Sequence, residues 1–501
     1  MNEINQKLHL GTSSDCSDAV PLVLDVDGVV LATDMLYEMA LAFVKNNPFG
    51  IFLLLYWLIA GKAVLKKRLA EHTQIDIDRL PLNESVVANA RSAHDRGRMV
   101  VLATAADESL ARRLAQRLGF IDLVMASDGA TNLKGGARAD ALTARFPDGF
   151  AYFGDSASDL HVWKRARSIG IIGADRATAA AARAHAKDRS KPVECAMPRS
   201  GLGLKGWARA LRLHQWAKNL LVFAPLVLAG LLTDPGAWLS AGIAFLALGL
   251  LASATYLLND LLDIVDDRQH WTKRNRPLAS GRMRITQAVA AIPVGIAGSV
   301  LLGSLVGYQV VGVLTIYLGL TLAYSLHFKR KPVIDVFMLA TLFTLRLVLG
   351  IVAVGVAASP WLLVFSMFLF ASLSFAKRQT EVLRFAERTS DMAAKLSGRG
   401  YFVADAPFIL AMGIASGMAS MVIMVLYLTQ DAMHVGIYAQ TQWLWGIPLA
   451  LFLWLSRIWM IGQRGELLDD PVVFAMKDPK SLVLCAIVLM SFIMALIGVP
   501  L

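Results

Sequence analysis

Residues 256–281 read YLLNDLLDIVDDRQHWTKRNRPLASG, a charged stretch that directly follows an apolar run. Asp260, Asp263 and Asp267 are spaced by three and four residues, and Asn259 precedes them. On an α-helix these offsets place the three carboxylates on one face. Carboxylates clustered beside a membrane lose hydration and repel one another, so the arrangement is unfavourable without a cation. A divalent ion such as Mg²⁺, which prefers oxygen ligands, would bridge them to a diphosphate.

Basic residues follow these aspartates, and two later stretches again mix acidic and basic side chains. Lys273, Arg274 and Arg276 follow within ten residues of Asp267 and could bind phosphate oxygens. Other candidate residues follow later apolar runs: Tyr324, Lys329, Asp335, Arg346, Lys377, Arg378 and Glu381. Alternatives stay open, because Asp335 and Arg346 are 11 residues apart, about three helical turns, and could pair with each other. The basic residues could also be ordinary loop charges.

The composition indicates a membrane protein with a polar N-terminal part. Of the 501 residues, 56% are hydrophobic and 17% are charged, and apolar segments dominate from Asn219 onward. The net charge of +11 is typical of the basic cytoplasmic loops of membrane proteins, so we expect no nucleic-acid partner. The three cysteines, Cys16, Cys195 and Cys485, are scattered, which argues against a disulfide framework or a cysteine-ligated zinc site.

Apolar stretches near the length of a bilayer crossing, roughly 20 residues, are repeated along the second part of the chain. We predict nine spans, at about 219–233, 239–258, 286–305, 308–326, 334–356, 359–376, 406–429, 443–461 and 481–499. The loops after the even-numbered spans are basic, whereas the loops after the odd-numbered spans contain no Lys or Arg. The positive-inside rule therefore places the even-numbered loops in the cytoplasm. The polar N-terminus lacks a signal peptide, so we expect a multi-pass inner (cytoplasmic) membrane protein whose N-terminal domain and sites face the cytoplasm.

A shorter apolar segment, FGIFLLLYWLIAG (49–61), lies in the N-terminal part of the chain. Its length of about a dozen residues is too small for a confident membrane span. We expect a buried helix of the soluble domain, and the alternative is a helix that rests on the membrane surface.

Three segments of the N-terminal part are typical of strands that end in polar residues: PLVLDVDGVV (21–30), RMVVLATAAD (98–107) and FAYFGDSASDL (150–160). Helical stretches alternate with them, which predicts a parallel α/β sheet whose sites gather at the strand carboxyl ends. The polar residues there are Asp25, Asp27, Thr104, Asp155 and Asp159, and Lys134 lies in a loop between the second and third strands. A carboxylate can attack phosphorus, and a second one can protonate the leaving oxygen.

These motifs, in this order, resemble the haloacid dehalogenase (HAD) superfamily of phosphatases over about residues 20–190. The resemblance implies a Rossmann-type sheet with a helical cap at about 34–90, which selects the substrate. It implies these roles: Asp25 as nucleophile, Asp27 as general acid/base, Thr104 and Lys134 as phosphate contacts, and Asp155 and Asp159 beside Asp25 and Asp27 at a Mg²⁺ site. The apolar cap segment would suit a lipid-linked substrate.

Residues from about 205 onward resemble the UbiA superfamily of intramembrane prenyltransferases, on the strength of the spans and the N-D-x-x-D-x-x-x-D motif. RLHQWAKNLLVFAPL and AKRQTEVLRFAER are similar to the branch typified by decaprenyl-phosphate phosphoribosyltransferase. That branch transfers 5-phosphoribose from phosphoribosyl diphosphate (PRPP) to a polyprenyl phosphate. Mg²⁺ would be held by Asn259, Asp260, Asp263 and Asp267, with Asp260 and Asp263 central to catalysis. Phosphates would be bound by Lys273, Arg274, Arg276, Lys329, Arg212 and Lys218. The second aspartate-rich motif of many members is reduced here to Asp335, which argues against a prenyl diphosphate as the donor.

The expected organisation is a tail (1–20), the HAD-like α/β domain (21–190), a linker (191–204) and an all-α polytopic membrane domain (205–501) of about nine transmembrane helices. The removal of the 5-phosphate from the ribosyl product would then fall to the N-terminal domain. The alternative enzyme is an aromatic or quinone prenyltransferase that uses a prenyl diphosphate. A transporter with a regulatory domain is disfavoured, because the charges gather at the cytoplasmic ends of the spans instead of at mid-span.

Overall fold

A computed structural model of the chain describes residues 20–47, 49–73, 75–127, 133–198, 202–270, 272–389, 391–396, 398–434, 436–467 and 471–498. The chain divides into two compact units. The N-terminal unit comprises Met1–Ala210 together with Leu258–Ala290, and the helical unit comprises Leu211–Leu257 with Ala291–Leu501. The aspartate-rich stretch quoted above therefore groups with the N-terminal unit.

The N-terminal unit is built on a parallel sheet of six strands, as the alternation of strand and helix patterns predicted. The strands are β1 (Leu22–Leu24), β2 (Val100–Asp107), β3 (Leu123–Ser127), β4 (Ala151–Gly154), β5 (Ser168–Ile172) and β6 (Val193–Met197). Their order in the sheet is β3-β2-β1-β4-β5-β6. Leu22 pairs with Val100 on one side and with Ala151 on the other. The order reverses between β1 and β4, where open sheets of this kind bind ligands.

Helices cover the sheet and fill the long insertion between β1 and β2. They are α1 (Met35–Asn46), α2 (Gly50–Ile59), α3 (Lys62–His72), α4 (Glu84–Asp95), α5 (Glu108–Leu118), α6 (Gly136–Arg145), α7 (Leu160–Arg165), α8 (Arg176–Asp188) and α9 (Gly203–Ala210). Aspartate side chains begin several of them: Asp34 accepts a hydrogen bond from the backbone N–H of Leu36 at 2.8 Å, and Asp107 from that of Ser109 at 2.9 Å. Strands β1, β4 and β5 are wholly buried, as strands covered on both faces must be.

Two features of the N-terminal unit differ from expectation. Strand β6 lies within the segment 191–204 that we expected to be a linker, because its backbone extends the sheet by pairing with β5. The apolar segment 49–61 does form a helix, α2, but the prediction that this helix is buried was wrong. Phe52 is 69% exposed and Ile59 is 87% exposed, since α2 contacts its neighbours mainly through the buried Trp57.

The second part of the chain consists of helices. They are α10 (Ala224–Leu228), α11 (Pro235–Leu262), α12 (Ile264–Gln269), α13 (Ile285–Val306), α14 (Tyr308–Leu326), α15 (Ile334–Val354), α16 (Pro360–Ala386), α17 (Ala406–Gln430), α18 (Gly446–Gln463), α19 (Pro471–Ala475) and α20 (Pro479–Ile497). Within the described ranges, eight helices are long and apolar enough to cross a membrane: α11, α13 to α18, and α20.

Eight of the nine predicted spans therefore coincide with long apolar helices, and the first does not. The first expected span, at about 219–233, coincides instead with a 3₁₀ helix at Leu213–Phe223 and the five-residue helix α10. Hydropathy reports where a segment is apolar but does not report which helix type its backbone adopts. The other eight expected spans each overlap one of the eight long helices.

Candidate active sites

The carboxyl ends of β1 and β4 bring three aspartates of the N-terminal unit together. Asp25, Asp155 and Asp159 each offer a carboxylate oxygen, and these oxygens lie within 4.8 Å of one another. Asp25 and Asp159 are buried. The Asp159 carboxylate is fixed because it accepts hydrogen bonds from the backbone N–H groups of Asp155 and Ser156, both at 3.0 Å. The oxygens of this group are spaced to suit one divalent cation. Oxygen is the ligand type that Mg²⁺ prefers.

Arg138 of α6 lies inside this cluster, and sequence reasoning missed it. Its Nη1 donates to Asp25 Oδ2 at 2.6 Å and to Asp159 Oδ1 at 3.3 Å. It also contacts the hydroxyl of Tyr152, which donates to Asp159 Oδ1 at 3.0 Å. With three carboxylates and one guanidinium, the group keeps a formal charge of −2, which matches a divalent cation. Arg138 lies on a helix and does not follow a strand, so no sequence pattern indicated that it belongs to this site.

Asp27 has a different environment from the three clustered carboxylates. Its Oδ1 accepts a hydrogen bond at 2.9 Å from the backbone N–H of Met35, the first residue of α1. Burial raises the pKa of Asp27 to about 8, and the negative charge of Asp34 adds to the shift. Burial also raises the pKa of Asp25 to about 6, where the charge of Arg138 opposes the shift. Burial therefore favours the protonated form of both carboxyl groups, and more strongly for Asp27 than for Asp25, which Arg138 contacts.

The remaining predicted residues of this site take separate positions. Thr104, on β2, is buried, and its hydroxyl accepts a hydrogen bond from the backbone N–H of Ala106 at 3.1 Å. Lys134 is exposed in the loop before α6, and the cation that contacts Asp25 is Arg138 instead. Gly28 has a φ of +78°, and a Cβ there would come within 2.2 Å of Asp155 Oδ2. A glycine is thus required for the Asp155 carboxylate to occupy its position.

The aspartate-rich stretch spans two helices instead of one. Asp260 lies near the end of α11, Asp263 caps α12, and Asp267 lies within α12. Asp260 and Asp267 are nevertheless close, because Arg276 Nη1 donates to Asp260 Oδ1 at 3.0 Å and to Asp267 Oδ2 at 2.5 Å. Both aspartates are buried. We call Asp260, Asp267 and Arg276 the acid–base cluster.

Other residues of the stretch surround the acid–base cluster. Burial raises the pKa of Asp267, with Asp260 adding to the shift and with Arg276 and Lys273 opposing it. Asn259, Asp263 and Lys273 are half-buried, whereas Arg274 is exposed. Among the described residues, Asp260, Asp263 and Asp267 do not form a carboxylate group as close as that around Asp25. Arg276 is the group that draws two of them together.

A second ion pair joins α12 to the insertion of the sheet domain. Arg268 donates to both carboxylate oxygens of Glu38, at 2.7 and 3.1 Å. The two side chains are 8% and 3% exposed, so the pair is buried. Glu38 also accepts from the hydroxyl of Thr33 at 2.6 Å, and Arg268 donates to the backbone carbonyl of Ala279 at 3.2 Å. This pair was not predicted, because its members are 230 residues apart in the chain.

In the helical unit, four of the predicted substrate residues meet around the guanidinium of Arg378. Its Nε donates to Asp335 Oδ2 at 2.5 Å, and both side chains are fully buried. Its Nη1 donates to Glu381 Oε2 at 2.7 Å, and its Nη2 to the hydroxyl of Tyr324 at 3.1 Å. Sequence reasoning identified these four residues separately but did not predict that they are connected.

Two residues from the loop before α17 complete this group and were missed. The hydroxyl of Tyr401 donates to Asp335 Oδ1 at 2.7 Å. Arg399 Nη1 donates to the hydroxyl of Tyr324 at 3.2 Å, and its Nε lies 3.6 Å from Glu381 Oε2. We call these six residues the Arg378 network: Tyr324, Asp335, Arg378, Glu381, Arg399 and Tyr401.

Arg346 does not belong to the Arg378 network, so the alternative in which Asp335 pairs with Arg346 is wrong. Arg346 Nε donates to Asn219 Oδ1 at 3.1 Å, and its Nη2 donates to the hydroxyl of Tyr317 at 3.1 Å. Its guanidinium also lies 4.8 Å from the ring centroid of Phe343. Arg346 is buried, and Asn219 and Tyr317, to which it donates, are neutral groups.

The remaining predicted phosphate and substrate residues lie on neighbouring segments. Lys218 is buried, with its Nζ 5.5 Å from the centroid of the Phe343 ring that Arg346 also faces. Arg212 lies 5.0 Å from the ring centroid of Tyr256 and has a positive φ of +50°. Lys329 is half-buried in the 3₁₀ helix after α14, and Lys377 is half-buried on α16 beside Arg378.

Comparisons with known proteins establish the family of the chain. Residues 221–470 match the profile of the UbiA prenyltransferase family. A protein called y4nM from Sinorhizobium fredii is 38% identical over 483 residues, which cover 96% of this chain and 92% of that protein. The chain belongs to the UbiA prenyltransferase family.

Other known proteins match smaller parts of the chain. Nodulation protein NoeC of Azorhizobium caulinodans is 30% identical over 284 residues, covering 55% of this chain and 89% of that protein. Decaprenyl-phosphate phosphoribosyltransferase of Corynebacterium glutamicum is 36% identical over 182 residues, covering 36% of this chain and 55% of that protein. A solved UbiA homolog from Archaeoglobus fulgidus, bound to DMAPP and Mg²⁺, aligns at 16% identity with a TM-score of 0.45, covering 57% of this chain and 98% of that chain.

The UbiA match locates the acid–base cluster and the Arg378 network inside the family region, since both lie within residues 221–470. The carboxylate group around Asp25 lies outside it. With eight long apolar helices and UbiA membership, the chain is a multi-pass membrane protein that carries a UbiA-type transferase domain.

Proposed function

We propose that the chain transfers 5-phosphoribose from PRPP to a polyprenyl phosphate, and that its N-terminal unit then removes the 5-phosphate. The observation that carries the first step is the acid–base cluster, in which Arg276 bridges Asp260 and Asp267 at the end of a membrane-spanning helix. The relative named decaprenyl-phosphate phosphoribosyltransferase supports the choice of substrates, because it aligns at 36% identity.

In the proposed transfer, the bond between ribose C1 and the diphosphate breaks, and an oxygen of the lipid phosphate forms a new bond to C1. Mg²⁺ held by Asn259, Asp260, Asp263 and Asp267 would neutralise the departing diphosphate. Arg276 and Lys273 would donate hydrogen bonds to phosphate oxygens, since both lie beside Asp267. Arg276 would exchange one of its two carboxylate partners for the diphosphate when substrate binds.

The Arg378 network, in the helical unit, would bind the lipid acceptor. Its guanidinium already contacts Asp335, Glu381 and the hydroxyl of Tyr324, so its orientation is fixed before binding. The half-buried Tyr324 and Arg399, which this network holds in place, would contact the substrate, and groups fixed in advance lose little entropy on binding. Lys329, Lys377, Lys218, Arg212 and Arg346 are further candidates for contact with phosphate or lipid.

We infer a phosphatase activity for the N-terminal unit from the carboxylate group around Asp25 and from the resemblance to the HAD superfamily. Asp25 would attack the phosphorus of the 5-phosphate, and the ribose oxygen would leave with a proton from Asp27. Water would then hydrolyse the aspartyl phosphate and release inorganic phosphate. Arg138 would steady the Asp25 carboxylate for attack, because its Nη1 lies 2.6 Å from Asp25 Oδ2. Mg²⁺ at Asp25, Asp155 and Asp159 would offset the charge of the phosphoryl group.

We propose that both sites face the cytoplasm. The N-terminal unit contains residues 20–210 and the basic loop after α11, so both must lie on one side of the membrane. Since α11 crosses once, the chain needs another crossing between residues 210 and 235. The 3₁₀ helix Leu213–Phe223 and α10 together extend about 30 Å, which equals the hydrocarbon thickness.

The second candidate is a prenyltransferase that moves an isoprenyl group from a prenyl diphosphate to an aromatic acceptor, because the matched family is described by that activity. Purified protein would be incubated in parallel with labelled PRPP plus polyprenyl phosphate, and with labelled prenyl diphosphate plus aromatic acceptors. We expect a labelled ribosyl lipid from the first mixture and no labelled prenylated aromatic from the second, and the reverse result would establish the alternative.

Variants of the aspartate-rich stretch extend this experiment. Asp260→Asn and Asp263→Asn are expected to lose at least 100-fold in transfer, since each removes a carboxylate from the proposed metal site. Asp266→Asn is the matched control, because its side chain is 64% exposed and its partner is Lys45. Equal losses in all three variants would contradict the assignment.

A further inference from the structure

Helix α2 exposes apolar side chains around most of its circumference. Its sequence, GIFLLLYWLI, contains no charged residue. Phe52 and Tyr56 are 69% and 67% exposed, Ile59 is 87% exposed, and Phe49 just before the helix is 80% exposed. A water-soluble surface rarely carries a contiguous apolar patch of this kind, because large apolar side chains are more stable when buried than in water.

The exposure of α2 results from fixed packing. Trp57 is buried, with its ring centroid 5.2 Å from that of Phe43 and 5.6 Å from that of His72. Gly50 abuts the Phe43 ring so closely that a Cβ would come within 2.6 Å of Phe43 Cε1. One edge of α2 is therefore anchored on α1 and α3, and the apolar remainder faces outward.

Helix α1, on which α2 packs, forms an ion pair with α12, the helix that follows the membrane-spanning helix α11. Lys45 Nζ, near the end of α1, lies 2.9 Å from Asp266 Oδ2. Asp266 is four residues beyond Leu262, the last residue of α11, which corresponds to at most about 14 Å of chain. The buried pair of Glu38 and Arg268 is a second contact between α1 and α12. Helix α2 begins four residues after α1 ends, so it starts close to the place where the chain leaves the bilayer.

The charges next to α2 match a lipid headgroup region. Helix α3 reads KAVLKKRLAEH, with four basic residues and one acidic residue apart from its terminal histidine. Lys67 and Arg68 are exposed. Basic residues are attracted to an anionic membrane surface. An apolar helix followed by a basic one is the pattern of a segment that lies in the membrane interface.

We propose that α2 inserts its exposed apolar side chains into the leaflet at which α11 ends, with Lys67 and Arg68 of α3 at the headgroups. The ten residues of α2 extend about 15 Å, half of a hydrocarbon core, so the helix enters the membrane without crossing it.

This insertion also assigns a substrate class to the N-terminal site, and that part rests on the proposed phosphatase function. The insertion that carries α2 begins at Met35, whose backbone N–H donates to Asp27 Oδ1. The segment that borders Asp27, the proposed general acid/base of this site, thus includes the helix proposed to enter the membrane. The substrate class is a phosphomonoester carried by a membrane-anchored lipid, in preference to a free sugar phosphate.

Depth-dependent quenching tests the insertion. Single cysteines at positions 52, 59 and, as a control, the exposed Ser92 of α4 would carry an environment-sensitive fluorophore, with the three native cysteines replaced by alanine. The full chain would be reconstituted in vesicles of phosphatidylcholine and phosphatidylglycerol with nitroxide-labelled acyl chains. We expect at least twofold quenching at 52 and 59 and little at 92. Quenching no greater than at 92 would overturn the proposal, and so would a disulfide between copies when the unlabelled position-52 variant is oxidised in vesicles.

A second measurement tests the substrate class. The variant Phe52→Ser/Ile59→Ser is expected to lose at least tenfold in kcat/KM for a polyprenyl-linked phosphomonoester in vesicles, and to hydrolyse soluble p-nitrophenyl phosphate as the native chain does. An equal effect on both substrates would overturn the substrate class. Hydrolysis that persists in Asp25→Asn would refute the phosphatase function itself, while leaving the quenching result as a separate test of insertion.

Discussion

Glu38 and Arg268 form a buried, two-bond ion pair between the insertion of the sheet domain and the helix that carries Asp267. Arg268 is adjacent in sequence to Asp267, a member of the acid–base cluster. On the other side, Glu38 lies one helical turn after Met35, whose backbone N–H donates to Asp27. The two candidate sites of the N-terminal unit are therefore connected through a short run of fixed contacts.

Removal of one partner of this pair is expected to be costly. Glu38→Ala or Arg268→Ala should lower the free energy of unfolding by about 3–5 kcal/mol, because each leaves a buried charge without its partner. The double variant should be less destabilised than the sum of the single variants, which a double-mutant cycle in detergent would measure.

The exposed pair of Arg68 and Glu71 provides the control for this cycle. Its side chains are 53% and 41% exposed, so Arg68→Ala should cost less than about 1 kcal/mol. Strictly additive effects of Glu38→Ala and Arg268→Ala would show that the two side chains do not interact in solution.

Gly28→Ala should abolish phosphatase activity through displacement of Asp155. The new Cβ would come within 2.2 Å of Asp155 Oδ2, and the backbone has a φ of +78°. Gly119→Ala is the matched control, since its φ is +74° and its Cβ would meet nothing within 4 Å. Both variants should lose about 1 kcal/mol of stability through backbone strain. We expect phosphate release to fall at least 100-fold only in Gly28→Ala, and equal activity in the two variants would contradict the role of Asp155.

Asp335→Asn should disrupt the Arg378 network. The fully buried guanidinium would lose its 2.5 Å contact with a carboxylate, although Glu381 would still neutralise part of its charge. We expect a loss of about 3 kcal/mol in stability and at least a tenfold rise in KM for the lipid acceptor.

The ion pair of Arg457 and Asp478, in the same unit but outside the network, gives the comparison for Asp335→Asn. Asp478→Asn should destabilise the protein without a change in KM. A KM change of the same size in both variants would mean that the Arg378 network has no specific contact with substrate.

Much of the N-terminal fold and its site could be predicted from the sequence. Asp25 and Asp155 follow short buried strands, and parallel strands bring their carboxyl ends to one edge, so the meeting of these aspartates was predictable. Arg138 was not, because it comes from a helix whose orientation toward the strand ends is a matter of tertiary packing. Likewise, Asp335 was compared only with Arg346 on its own helix, whereas its partner Arg378 lies on the next helix.

An experiment that follows two labels in PRPP tests the central claim most directly. PRPP labelled with ¹⁴C in the ribose and with ³³P in the 5-phosphate would be incubated with polyprenyl phosphate and Mg²⁺. We expect the native chain to place ¹⁴C in the lipid and to release ³³P as inorganic phosphate, Asp25→Asn to leave both labels in the lipid, and Asp260→Asn to leave both labels in PRPP. Transfer of ¹⁴C to the lipid by Asp260→Asn, or release of ³³P from the lipid by Asp25→Asn, would contradict the account.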